Sequence, residues 1–112
     1  MRVFLLQKSN KYDVSAAGAY GELIYLIDDY LPPFDPDKTI ARIRARLEEF
    51  NFDYKQDAIV LTGASILISI FLSVLIWDCG EVKTLLFDAR TGKYKLVNIN
   101  LIDDPEFESL RG

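Results

Sequence analysis

The chain has 112 residues, with 13 Lys and Arg against 17 Asp and Glu for a net charge of −4, and half of it is hydrophobic. That composition supports one core and lies far from a disordered chain. With no histidine and a single cysteine, Cys79, the chain is excluded from internal disulfides and multi-thiolate metal centres, and it lacks the commonest general base. The acidic balance argues against a nucleic-acid binder, which would carry a basic face.

Arg2 to Gln7 opens with a strand pattern, and its apolar stretch, Val3 to Leu6, is too short for the core of a signal peptide. A polar loop, Lys8 to Tyr12, leads to Asp13 or Ser15. Either can cap a short helical turn through Ala16, Ala17 and Ala19, weakened by Gly18 and Gly21. Glu22 to Ile27 predicts a second strand. Asp28-Asp29-Tyr30-Leu31-Pro32-Pro33 then breaks regular structure, because the prolines remove backbone donors and hold the chain extended. A helix follows: Asp35 is suited to its N-cap, Pro36 to its first position, and Asp37 to the positive end of its dipole. Ile40, Ile43, Leu47 and Phe50 recur at helical spacing until Asn51.

Ala58 to Trp77 contains no charge. Read whole, it is long enough for a bilayer, which takes roughly 20 apolar residues, and would make a membrane-anchored protein through 58–77. Read with its punctuation, Thr62-Gly63-Ala64-Ser65 divides it into a strand, Ala58 to Thr62, and a buried helix, Ala64 to Trp77, with Ile70 in the core. The flanks carry Asp57, Asp78 and Glu81 and no basic cluster to set an orientation. A further strand, Val82 to Phe87, supplies what a βαβ crossover needs. The strand–helix reading is therefore adopted. Gly80 suits a left-handed helix cap. A turn at Ala89-Arg90-Thr91-Gly92 leads to Tyr94 to Ile99, expected to pair back as a β-hairpin. Residues 103–112 form an acidic tail, in which Asp104-Pro105 can start one helical turn.

Three segments, SAAGAYGELIYL at 15–26, DAIVLTGASILISI at 57–70 and GEVKTLLFDARTGKY at 80–94, together resemble small uncharacterised α/β proteins encoded by tailed bacteriophages. In those proteins a "YGEL" segment precedes the helix, an "LTG" turn ends a central strand and a strand–turn–strand "KY" unit closes the domain. The resemblance implies a phage or prophage origin and a bacterial cytoplasm. It implies no activity.

The best candidate for chemistry is Thr62-Gly63-Ala64-Ser65, at the carboxyl end of a central strand and the start of a helix. Free backbone amides there make an anion site, and ligands of open α/β sheets lie beyond the carboxyl ends of strands. The turn lacks the lysine of a phosphate-binding loop and the three glycines of a dinucleotide fingerprint. Its structural reading is that Gly63 makes a sharp turn and Ser65 caps the helix. The pairs Asp28-Asp29 and Asp103-Asp104, with Glu106 and Glu108, suit Mg²⁺ only if folding gathers them, and their spacing specifies no ligand geometry. Arg42, Arg44 and Arg46 spread around their helix as a solvated surface. Cys79 sits beside Asp78 and Glu81, the wrong neighbours for a thiolate. Tyr12, Tyr20, Tyr25, Tyr30 and Phe34 read as core or as the lining of a groove.

The expected fold is α/β, one domain over 1–112 with a flexible acidic tail at 103–112. Its sheet is expected to be mostly parallel and five-stranded, with packed helices and a C-terminal β-hairpin. The expected function is that of a phage-type accessory protein working by protein–protein contact in the host cytoplasm, without catalysis, cofactor, metal, nucleic acid or membrane. A homodimer through the edge Tyr94 to Ile99 is one such contact, unless residues 103–112 fold back over it. The rival is a phosphate or nucleotide binder, or an enzyme, using Thr62, Gly63, Ala64 and Ser65.

Overall fold

A computed structural model, which describes residues 1–8, 13–101 and 106, shows one five-stranded sheet with the strand Ala58–Val60 at its centre. β1 (Arg2–Gln7), β2 (Glu22–Ile27), β3 (Ala58–Val60), β4 (Glu81–Asp88) and β5 (Lys93–Asn100) stand in the order β2-β1-β3-β4-β5. Among the described residues, α1 (Pro36–Glu49), α2 (Ser65–Cys79) and a short 3-10 turn at Ser15–Ala19 accompany the sheet. β1 runs parallel to both neighbours, Val3 pairing with Leu23 and with Ala58. β3 is parallel to β4, and the longest ladder, Glu81↔Asn100 to Asp88↔Lys93, is antiparallel. The sheet is therefore mixed, which replaces the expectation of a mostly parallel one.

Side chains alternate across β1, so that Phe4 and Leu6 enter one core and Val3 and Leu5 the other. α1 and α2 cover the first face, where Phe4, Leu26, Ile43, Ile59, Phe71 and Leu75 are buried. Among the described residues the second face has only the 3-10 turn against it, with Ala17 packed among Val3, Leu5, Val60, Leu85 and Tyr94. At Gly21 a Cβ would lie 1.8 Å from the Met1 carbonyl oxygen, so the start of β2 comes close to the start of β1 only because that residue is glycine.

The ends of α1 are closed as its sequence dictates. The Asp35 side chain accepts from the Lys38 amide, and Pro36 occupies the first turn. At the other end Asn51 turns left-handed (φ 52°), with Asn51 N–H donating to Glu48 O and Phe52 N–H to Leu47 O, a Schellman closure. Arg2 completes it. Its guanidinium donates to the Phe50 carbonyl (2.7 Å) and the Asn51 carbonyl (3.1 Å), a cation on the negative end of the helix dipole. The same group pairs with buried Asp57 at 2.9 Å, tying β1, the end of α1 and the approach to β3 into one knot.

The uncharged run does not form one helix. It divides into β3, which stops at Val60 rather than Thr62, and α2, which begins at Ser65 and runs to Cys79. Among the described residues no helix is long and apolar enough to cross a membrane, so the anchor expected under the alternative reading of 58–77 is not formed. Gly80 (φ 76°) caps α2 in the left-handed conformation, its N–H donating to Ile76 O. Apart from Glu106, which is exposed, the acidic tail lies outside the described residues, as do Asp104-Pro105 and Tyr12.

Candidate functional site

The next described element after β1, the 3-10 turn, packs on one face of the sheet, whereas α2, which follows β3, packs on the other. A crevice opens beyond the carboxyl ends of these two adjacent parallel strands, the usual ligand position in open α/β sheets. It measures about 200 Å³ and is lined by Leu6, Gln7, Lys8, Thr62, Gly63, Ala64 and Leu67. Three of the four residues singled out in sequence, Thr62, Gly63 and Ala64, therefore form one wall. Ser65 is exposed and does not line it.

Ser65 is also not the helix cap. Ala64 holds that position, with extended backbone (φ −64°, ψ 132°) and no side-chain oxygen to accept from the first turn. Ser65 is the first helical residue, and its carbonyl accepts from the Ser69 hydroxyl at 2.8 Å. The first intrahelical bond is Ile68 N–H to Ala64 O, which leaves the first-turn amides without a side-chain cap. Gly63 sits at φ 128°, a region open essentially to glycine alone, although a Cβ there would meet nothing. Its substitution tests backbone conformation without steric clash. Gly63→Ala is expected to lower stability by about 1–3 kcal/mol, read from urea unfolding curves; an unchanged midpoint would show that the turn relaxes freely.

The other candidates separate. Asp29 accepts from Arg42 at 2.6 Å, Arg44 forks onto Asp78 at 2.7 and 2.9 Å, and Arg46 donates to the Leu26 carbonyl and pairs with Glu49. The three arginines thus serve three different contacts. The Arg42 hydrogen bond, despite some desolvation, holds the Asp29 carboxyl below its ordinary value. Of the aromatics, Tyr25 packs on the second core. Tyr30 and Phe34 are exposed, and Tyr20 lies at the surface with its hydroxyl donating to the Tyr94 carbonyl at 2.7 Å. They form no common groove.

Two surfaces stand out that composition alone does not reveal. The first is β5, which among the described residues pairs on one side only. Beside it Leu86 and Val97 are exposed on one face of the sheet, and Phe87 and Leu96 on the other. Its start is covered by Tyr20 and guarded by Lys95, which pairs with Asp88 at 2.9 Å; among the described residues no such contact covers Leu96 to Ile99. The second is the outward side of α2, where Ile66 and Trp77 are exposed. Only topology and layer count expose these surfaces. The sequence signal for the second was the absence of any charge from Ser65 to Trp77.

Residues 1–101 match the model of a family described as Phage Pam3 gp32-like protein. No curated protein and no solved structure matches the chain.

Proposed function

Because the chain belongs to the Phage Pam3 gp32-like protein family, we propose that it is a phage accessory protein that acts in the host cytoplasm by protein–protein contact, not by catalysis. The observation that carries this reading is β5: an eight-residue strand without proline, paired on one side among the described residues and flanked by exposed apolar residues on both faces. Outward-facing N–H and C=O groups of such a strand recruit another strand, and a second copy of the same chain offers the same edge in the antiparallel sense. Lys93 and Lys95 weaken that contact without abolishing it.

Hydrogen exchange reads this edge directly. Amides of β5 beyond Tyr94 are expected to exchange more slowly as protein concentration rises through the micromolar range, and the Leu96→Lys/Val97→Lys variant to lose that dependence while keeping its circular dichroism. Exchange rates independent of concentration, both in the full chain and after removal of residues 103–112, would overturn the edge contact.

A second reading, a phosphate or nucleotide binder, is favoured by one observation: the uncapped first turn of α2 opens on a crevice whose opposite wall carries Lys8. In that reading Thr62, Gly63 and Ala64 cradle the anion through backbone amides. A thermal shift with one nucleotide or with inorganic phosphate, abolished by Lys8→Ala in a folded variant, would transfer preference to it.

A further inference from the structure

In an antiparallel ladder the N–H and C=O of a residue point together toward one neighbour, and successive residues alternate. Two contacts fix which residues of β5 face inward. The Val97 carbonyl accepts from the hydroxyl of Thr84, its partner on β4, at 2.7 Å. Just past the strand, Leu101 N–H donates to the Gly80 carbonyl at 2.8 Å. Val97 and Ile99 therefore bond toward β4, while Tyr94, Leu96 and Asn98 turn their backbone groups to the open side. Tyr20 agrees with that alternation: its hydroxyl reaches the Tyr94 carbonyl at 2.7 Å and takes the acceptor that an incoming strand would need.

The open ladder thus begins after Tyr94. Within Leu96 to Ile99 its outward members are Leu96 and Asn98, which stand symmetrically about Val97. An antiparallel second copy, related by a two-fold axis at Val97, pairs Leu96 with the partner's Asn98 and Asn98 with the partner's Leu96. Each pair exchanges both backbone hydrogen bonds. An axis at Leu96 would instead set Asn98 against the partner's Tyr94, whose carbonyl is already held by a tyrosine hydroxyl. Side chains favour the same centre. Val97, 40% exposed, meets its own copy in a non-hydrogen-bonded pair with Cα atoms about 4.5 Å apart, on the face that also exposes Leu86. Lys95 falls opposite the partner's Ile99 and not opposite a lysine, and its ammonium is drawn back to Asp88 at 2.9 Å. We propose that Tyr20, by holding the Tyr94 carbonyl, sets the register of a two-fold β5 pairing centred on Val97. This rests on the edge contact of the preceding reading and adds the residue that selects its register.

Single cysteines read the register. Cys79→Ser removes the one native thiol, and Leu96→Cys, Val97→Cys and Asn98→Cys then place a new one at exposed positions. Under mild oxidation Val97→Cys is expected to form a covalent dimer on a non-reducing gel. Leu96→Cys and Asn98→Cys are each expected to stay monomeric alone, because their own copies lie diagonally beyond the roughly 7 Å a disulfide spans. Mixed together, those two are expected to cross-link. Adding Tyr20→Phe, with circular dichroism unchanged, is expected to admit the Leu96-centred register and make Leu96→Cys cross-link to itself. Hydrogen exchange on the unmodified chain separates the outcomes. If β5 protection rises with concentration but Val97→Cys does not cross-link, the register is overturned and the edge contact stands. If Tyr20→Phe leaves cross-linking confined to Val97→Cys, the role of Tyr20 is overturned. Exchange independent of concentration, with no cross-link at any position, overturns the edge contact and the register together.

Discussion

Arg2→Met is expected to lower the unfolding free energy at neutral pH by about 3–5 kcal/mol, the cost of leaving one member of a buried pair alone. The reason is the asymmetry of the pair. The Asp57 side chain is 4% exposed and that of Arg2 34%, so removing Arg2 strands a buried carboxylate, whereas Asp57→Asn leaves a cation that water partly solvates. The second change is expected to cost clearly less than the first. Methionine preserves the aliphatic stem, so the variant removes the charge together with the guanidinium's place 5.0 Å over the Phe4 ring. Urea denaturation of the two single variants and the double variant measures the coupling, expected within about 0.5–3 kcal/mol for groups in one network.

The same pair sets a pH dependence whose sign can be worked out. Burial raises the Asp57 carboxyl, but the Arg2 side chain, the Asp53 amide and the Arg2 amide together outweigh it, and the net direction is down. A carboxyl lowered on folding makes the unfolded state bind more protons, so its contribution is present at neutral pH and is lost as pH falls below the ordinary value of 3.8 through the folded one. In Arg2→Met the side-chain hydrogen bond and charge of Arg2 are gone, and only the Asp53 and residue-2 amides still oppose burial, so the lowering shrinks and with it the contribution at neutral pH. The stability gap between wild type and variant is therefore expected to be widest near neutrality and to close below about pH 4. A gap constant across that range would mean that Arg2 acts through its carbonyl contacts at Phe50 and Asn51 alone.

Local rules were enough for the elements they govern. β1 and β2 occupy the residues their patterns predicted, Asp35 caps α1, and Gly80 closes α2. Each depends on a side chain or backbone preference within a few residues. Ser65 shows the limit of that logic: a serine beside a helix start reads as a cap, but the extended residue is Ala64, and the chain enters the helix one position earlier than a Ser65 cap would require. The crevice was half legible. Thr62, Gly63 and Ala64 were singled out from the strand–turn–helix pattern, whereas Gln7 and Lys8 face them only because β1 and β3 are neighbours. No local pattern states that adjacency.

The burial of α2 was misjudged for a related reason. Uniform hydrophobicity implies an interior helix, but how many of its sides are covered depends on the number of layers. Here the sheet lies on one side and α1 on another, with nothing in the described chain on the third. The arginines of α1 show the converse. Spread around the helix, they read as a solvated surface, and each instead meets a particular partner supplied by distant sequence: Asp29, Asp78 and the Leu26 carbonyl.

Phe71→Asp is expected to unfold the domain outright, and its comparison with Ile70→Asp fixes which side of α2 faces inward. Phe71 is fully buried in the core beneath the helices, whereas Ile70 is 9% exposed and borders the groove toward α1. Truncating a buried phenylalanine costs about 3–5 kcal/mol. A carboxylate left there without a partner adds roughly 2–7 kcal/mol more, even after it takes up a proton. Against a total stability of about 5–15 kcal/mol for a domain, the sum leaves little or no folded protein. At Ile70 the carboxylate can turn into the groove and meet water, so that variant is expected to remain folded with a lowered melting temperature. Thermal melts by circular dichroism order the two. If Ile70→Asp proved the more damaging, α2 would be rotated by about 100°, one residue's step around a helix. Ser69 and Ser73, both exposed, would then no longer share its outer face.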